Sequence, residues 1–170
     1  MAIELVGAAI TSRAGATSGT QSIDLTSALS GGLGGSLAEG DVVLAFSAIG
    51  TTLQPTLSIT DGSTDYTLID TQQYVVGATY DTVLRVAYKR MGATPDTTVV
   101  FGPSGGTSRA QTMGVMVWRG VDPDTLLDVA VQIATATANS RPNPAAITPS
   151  TTGAVVVVAV APGLKTGTHF

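Results

Sequence analysis

Apolar side chains in this sequence return at every second position, and the three-to-four-residue spacing of an amphipathic helix is hard to find anywhere. A period of two places successive side chains on opposite faces of an extended strand, so the pattern confines the chain to β-structure. Thr56-Leu-Ser-Ile-Thr alternates cleanly and runs into Asp61-Gly-Ser-Thr, residues that build turns. Asp41–Ile49 and Ala110–Trp118 are apolar on both faces, the pattern of strands covered on each side. Thr82–Met91 reads as a long strand with Leu84, Val86 and Tyr88 inward and Arg85 and Lys89 outward.

Shorter extended segments complete the pattern. They are Ile3–Ile10, Ser22-Ile-Asp-Leu, Tyr66–Ile69, Gln73–Val76, Thr97–Phe101 (closed by Gly102-Pro-Ser-Gly-Gly), Leu126–Ile133, Ala146-Ile-Thr and Gly153–Ala161. About ten short strands at regular spacing with Gly, Pro and Asp turns predict an all-β, antiparallel sandwich or barrel with little or no helix, and the sandwich is the expected form. Thr125–Ala138 is the one stretch with room for a short helix. The 170 residues read as one domain, or one domain with an arm. Residues 1–40 read as an N-terminal strand plus a Gly/Ser/Thr-rich arm or wrapping loop, and residues 41–170 as the sandwich. Gly40-Asp-Val-Val-Leu-Ala-Phe-Ser-Ala echoes Gly153-Ala-Val-Val-Val-Val-Ala-Val-Ala, which suggests equivalent central strands of two packed sheets. Few residues follow Ala161, so the last sheet is expected to end on an unpaired edge, either because a strand from a neighbouring subunit completes it or because the sequence is cut short there.

Charge narrows the function. Only 12% of residues are charged while 44% are apolar, against a usual charged share near 25%. Surface normally coated with Lys and Glu is then expected to be covered by other protein, in a homo-oligomer or larger assembly. The net charge is −4 and no basic stripe is present, which argues against a nucleic-acid partner. The longest apolar run, Ala154–Pro162, falls well short of the ~20 residues of a membrane helix. Met1–Gly7 has no basic start, and Glu4 interrupts its apolar run, so it does not read as a secretory signal.

Chemistry-bearing residues are scarce. There is no Cys, and the single His is His169, so neither a thiolate metal site nor a Ser-His-Asp set can be assembled. Asp61 and Asp65 flank a Gly turn as in some calcium loops, although a plain turn explains the same residues. Asp122, Asp124 and Asp128 form a second acidic group, but nothing separates an acid from a base among them. Trp118 with Tyr74, Tyr80 and Tyr88 offers aromatic faces for glycan or protein contact, while the same Trp fits a core or rim position with its N–H hydrogen-bonded. Arg119 beside it is expected to pair with Asp122 or Asp124. Neither Gly31-Gly-Leu-Gly-Gly nor Gly102-Pro-Ser-Gly-Gly has the ending of a phosphate loop. No enzyme activity and no cofactor are expected.

Met116-Val-Trp-Arg-Gly-Val-Asp-Pro, Leu127-Asp-Val, Arg141-Pro-Asn-Pro-Ala-Ala-Ile-Thr-Pro and Gly153-Ala-Val-Val-Val together resemble a group of tailed-bacteriophage and prophage structural proteins. The likeness covers roughly the C-terminal half, with a weaker echo in Tyr80-Asp-Thr and Ala87-Tyr-Lys-Arg-Met. It implies a jelly-roll-like sandwich in the virion, made in the host bacterial cytoplasm. The expected role is capsid decoration, a cement protein on the major capsid protein or other virion proteins, as a homo-oligomer with a trimer favoured. The alternatives are a tail or fibre host-recognition domain and an isolated carbohydrate-binding module or glycan hydrolase.

Overall fold

Strand formation follows the alternation as far as residue 119 and, among the described residues, stops there. The computed structural model describes residues 2–13, 19–51, 56–74, 81–104, 110–134 and 144–161. Among them lie eight strands: β1 (Glu4–Arg13), β2 (Gln21–Asp24), β3 (Val42–Thr51), β4 (Thr56–Thr60), β5 (Thr67–Tyr74), β6 (Asp81–Arg90), β7 (Thr98–Ser104) and β8 (Gln111–Arg119). No helix occurs among the described residues, those of Thr125–Ala138 included. The strands form a five-stranded sheet in the order β1-β8-β3-β6-β5 and a three-stranded sheet in the order β2-β7-β4. Every pairing is antiparallel.

The pairing is nested. The first strand pairs with the eighth, the second with the seventh and the third with the sixth. Between β4 and β5 the nesting closes in a bridge from Thr60 to Asp65, beside a Tyr66 N–H that donates to the Ile59 carbonyl at 2.9 Å. From there β5 leaves β4 and joins β6 in the other sheet.

One apolar core serves both sheets. Val43, Ala45, Ala87, Met113, Val115 and Val117 of the five-stranded sheet pack with Ile23, Ile59, Val99 and Phe101 of the three-stranded one. Phe101 is fully buried, an inclusion that stabilises by about 1.5–3 kcal/mol.

Four features depart from the sequence pattern. On β6, Val83 and Ala87 are buried, so Arg85 and Lys89 share the core-side face while Leu84, Val86 and Tyr88 lie on the other. This reverses the expected orientation. Lys89 tolerates the core side because two carboxylates meet it there, Asp61 from the turn after β4 and Asp96 from the loop after β6. Tyr66–Ile69 and Gln73–Val76, expected as two strands, largely merge into the single strand β5, with a register shift between Leu68 and Asp70. β7 continues through Gly102 and Pro103 instead of turning, because β4 pairs alongside it up to Ser104. Leu126–Ile133, Ala146–Thr148 and Gly153–Ala161 belong to no strand among the described residues. The echo of Gly40–Ala48 in Gly153–Ala161 therefore does not extend to a shared role: β3 is central to its sheet, whereas the later segment has no ladder among the described residues.

The Gly-rich stretch of the N-terminal region is a wrapping loop. Gly31, Gly32, Gly34 and Gly35 all take positive φ, which an L side chain rarely adopts. The turn lays residues 30–34 along the outer edge of β1. Ala8 and Ser30 exchange both backbone hydrogen bonds, at 3.0 and 2.9 Å. The Leu33 and Gly34 N–H groups donate to the carbonyls of Leu5 and Val6 at 2.9 and 3.0 Å. At Gly32 a Cβ would collide with the Leu5 carbonyl.

Candidate functional site

The outward face of the five-stranded sheet is apolar over the middle of its three central strands. Alternation along the three central strands brings Leu44 and Phe46 of β3, Leu84, Val86 and Tyr88 of β6, and Met116 and Trp118 of β8 onto it, all half-buried. Leu44 lies opposite Tyr88 on one side and Met116 on the other, and Phe46 lies between Val86 and Gly114. The Phe46 ring occupies the space above Gly114, where a Cβ would meet it. Aromatic and aliphatic cross-strand neighbours of this kind stiffen a sheet and give it a flat contact surface. Arg90 closes one end: its Nη1 donates to the carbonyls of Gly40 (3.1 Å) and Val121 (3.3 Å), and its Nη2 to that of Asp122 (2.5 Å).

Trp118 sits at the rim of this face, half-buried, opposite Val42 and Leu5. Its indole N–H is buried without a hydrogen-bond partner, contrary to the expectation that it would be satisfied. Next to it, Arg119 pairs with Asp41 rather than with Asp122 or Asp124. Nε donates to Asp41 Oδ1 at 2.8 Å and Nη2 to Oδ2 at 2.7 Å, while Nη2 also reaches the Ser36 carbonyl. Antiparallel pairing of β3 with β8 places the two side chains at adjacent strand ends, which a linear reading cannot show. Burial would raise the Asp41 carboxyl, but the Arg119 hydrogen bonds and the Ala38 N–H outweigh it and hold the group below its ordinary value. Tyr80 and the Tyr74 side chain lie outside the described residues.

Asp61 is occupied by protein donors. Its Oδ1 accepts from the backbone N–H groups of Ser63 and Thr64 and from the Ser63 hydroxyl, while Oδ2 takes Lys89 Nζ at 2.7 Å. The Lys89 hydrogen bond is the largest influence holding this carboxyl below its usual range, followed by the turn N–H groups. Asp65 is exposed. Among the described residues no group of three or more Asp, Glu, His or Cys is placed to hold a metal ion. Lys89 also bridges to Asp96, which accepts from the Tyr66 hydroxyl at 3.2 Å, and its Nζ lies 5.7 Å from the Tyr66 ring centre. Burial, and then the negative charge of Asp96, push the Tyr66 hydroxyl far above its ordinary value. The ammonium thus neutralises two carboxylates at a corner where β4, β5 and β6 meet. No local motif announces this cluster, because its members are spread from residue 61 to residue 96.

The second acidic group is likewise engaged. Asp122 Oδ1 accepts the N–H groups of Asp124 and Thr125, a turn closed by its own side chain. Asp128 accepts from the backbone N–H and hydroxyl of both Ser150 and Thr151. Those hydroxyls, Thr151 first, lower its pKa to about 2.

Two further surfaces lie apart from these charge clusters. A cavity of about 400 Å³ separates β1 from β2, the neighbouring edges of the two sheets, with Ile10, Thr11, Ser22 and Asp24 on its walls and Ser30 closing one end. Beyond the sheets, Val155, Val156, Val157, Val158 and Val160 are 39–75% exposed. Among the described residues no helix is long and apolar enough to cross a membrane. No family model, no curated protein and no solved structure matches the chain.

Proposed function

We propose that this chain is a non-enzymatic structural protein of a tailed-bacteriophage virion, a capsid decoration protein that cements the head through contact with the major capsid protein and with copies of itself. The observation that carries the reading is apolar surface out of proportion to charge. The outward face from Leu44 to Trp118 is apolar, and the valines from Val155 to Val160 stand exposed. Large apolar patches on a protein surface mark places where other protein sits. Nested pairing of eight strands supports a jelly-roll, since a long antiparallel ribbon rolled into two sheets pairs first with last, second with second-to-last and so inward. The ionic groups around the sheets serve each other: Asp41 with Arg119, and Lys89 with Asp61 and Asp96. Such an arrangement builds a rigid block that works by contact area. Cementing then follows from mass action, because a protein that binds only the assembled shell stabilises that shell.

Cryo-electron microscopy of virions carrying the protein tests the reading. Density for this chain at every equivalent capsid position, as a trimer or other symmetric oligomer, and heads that burst more readily once it is stripped are the expected results. A few copies at the tail tip, with adsorption blocked by soluble protein, would replace the cement role with host recognition. Loss of glycan binding on Trp118→Ala would point instead to a carbohydrate-binding module.

A further inference from the structure

Ala154–Val160 has the makings of a strand, yet it pairs with no sheet among the described residues. Its valines are exposed on both faces of the segment: Val156, Val158 and Val160 on one, at 51, 75 and 65%, and Val155 and Val157 on the other, at 42 and 39%. Consecutive β-branched residues of this kind stabilise a strand that is covered on both sides. No charge and no proline interrupts the segment, the devices with which exposed strands are normally protected from pairing. Among the described residues its backbone is tied only at its base, where the Ala154 N–H donates to the Thr151 carbonyl. That base is fixed. Asp128 holds Ser150 and Thr151, and Gly153 follows with a positive φ of 86°.

Among the described residues, the same chain carries an edge that lacks a strand. The 30–34 loop satisfies β1 at Leu5, Val6 and Ala8, and its last bond to the strand is at Ala8. Beyond it comes Ile10, 72% exposed on an edge strand. The 400 Å³ cavity opens beside it, between β1 and the β2 edge. A strand laid here extends the five-stranded sheet, covers Ile10 and turns its second face toward the cavity.

We infer that Ala154–Val160 of one copy adds as an edge strand along β1 of a second copy, beside Ile10. Donor and acceptor are different surfaces of one chain, so the contact closes as a reciprocal two-fold swap or as a ring, or runs on as an open filament where the rotation does not close. A stable specific interface buries total surface on the order of 1,200–2,000 Å², and a reciprocal swap contributes two strands and two edges to it. The main-chain ladder supplies the attachment and the alternate valines its register. The inference does not depend on the virion reading, because the chain would assemble this way with no capsid present.

The test uses the full chain in three forms: wild type, a donor variant Val156→Asp/Val158→Asp, and an acceptor variant Ile10→Lys. All three substituted side chains are more than half exposed, so both variants are expected to keep the wild-type far-ultraviolet spectrum and melting behaviour. In native mass spectrometry and light scattering, wild type is expected to be an oligomer and each variant alone a monomer. Mixing the two variants restores a complex, because one donor strand and one acceptor edge remain intact. A monomeric wild type, variants that stay oligomeric, or a mixture that forms no complex would each overturn the proposal. A monomeric wild type whose Val156–Val160 amides are protected from hydrogen exchange would place the strand on its own copy. Particle binding is measured separately, so a failed capsid assay leaves the oligomer result standing.

Discussion

Arg119 grips Asp41 with two hydrogen bonds, 2.8 and 2.7 Å long, across the ends of β3 and β8. The carboxylate is only 1% exposed, whereas the guanidinium remains about a third open to solvent. Ala38 N–H reaches the same carboxylate at 2.8 Å, and the Asp41 carbonyl accepts from the Met91 N–H. The pair therefore pins the 36–41 segment to the ends of β3 and β8. Arg119→Met would leave a buried carboxylate without its cation. The expected loss at neutral pH is about 3 kcal/mol, the lower end of the range for breaking a buried pair because Arg119 is partly solvated. In the wild type the Asp41 pKa is depressed, so its contribution is full above the unfolded value near 3.9 and is lost as pH falls toward the folded value. In the variant, burial dominates and the folded pKa rises. The stability gap between the two, measured by urea denaturation, should narrow as pH is lowered from 7 to 4.

Lys89 presents a different balance, with one cation between two carboxylates. Lys89→Met keeps the stem that packs near Tyr66 and removes the charge that holds Asp61 and Asp96 together. Two like charges, each only 13% exposed, then face each other. The expected cost is about 2 kcal/mol at pH 7, in the range for hydrogen bonds to charged groups. Asp61 titrates below its ordinary value when folded, so the wild type loses stability as pH falls from about 4 downward. The variant should show a shallower acid limb in the same chemical denaturation series.

Gly32 and Gly34 separate two reasons for a glycine. Both have positive φ, 67° and 68°, but a Cβ at Gly32 meets the Leu5 carbonyl while one at Gly34 meets open space. Gly34→Ala should cost about 1–2 kcal/mol, the strain of a left-handed L residue alone. Gly32→Ala adds a backbone collision and should cost more than that, with loss of hydrogen-exchange protection at Ala8 and Leu33. Equal costs for the two would mean that the loop does not press on β1 as described.

The contrast between local and distant partners explains what the sequence makes legible. Asp41–Ile49 and Ala110–Trp118 are plain as strands because each carries its own alternating apolar residues, and they are β3 and β8 with ends shifted by one or two residues. β2 is visible only as Ser22-Ile-Asp-Leu within a Gly/Ser/Thr stretch, since Ile23 and Leu25 alone point to the core. The facing of β6 is not legible locally, because a short window assigns Arg85 and Lys89 to solvent. Asp61, 28 residues back in the chain, and Asp96, seven residues on and beyond the end of β6, make the opposite orientation acceptable to Lys89. Arg119 follows the same rule, its partner lying at residue 41 rather than in the adjacent acidic corner. Gly153–Ala161 shows the converse. Its composition matches a central strand, yet composition supplies no partner, and no described strand pairs with it.

Asp128 decides where that unpaired segment starts. Its two oxygens accept four hydrogen bonds from Ser150 and Thr151, which tie the 126–134 stretch to the foot of the valine run. The carboxylate acts as a clasp between the two stretches. Asp128→Ala should leave the melting of the two sheets unchanged, because the clasp lies outside them. It should increase several-fold the rate at which a non-specific protease cuts near residues 126–134 and 150–153. The folded pKa of about 2 lies below the ordinary carboxylate value of 3.8, so the clasp holds fully above pH 4 and loosens as pH falls toward 2. Wild-type protein proteolysed at pH 2 with an acid-active protease should therefore resemble the variant, and the two should differ at neutral pH. If Ala154–Val160 pairs with a second copy, the variant also releases the donor from a fixed origin, and the oligomer should dissociate at higher protein concentration than wild type. An oligomer of unchanged strength alongside faster cleavage would show that the clasp orders the tail without setting the interface.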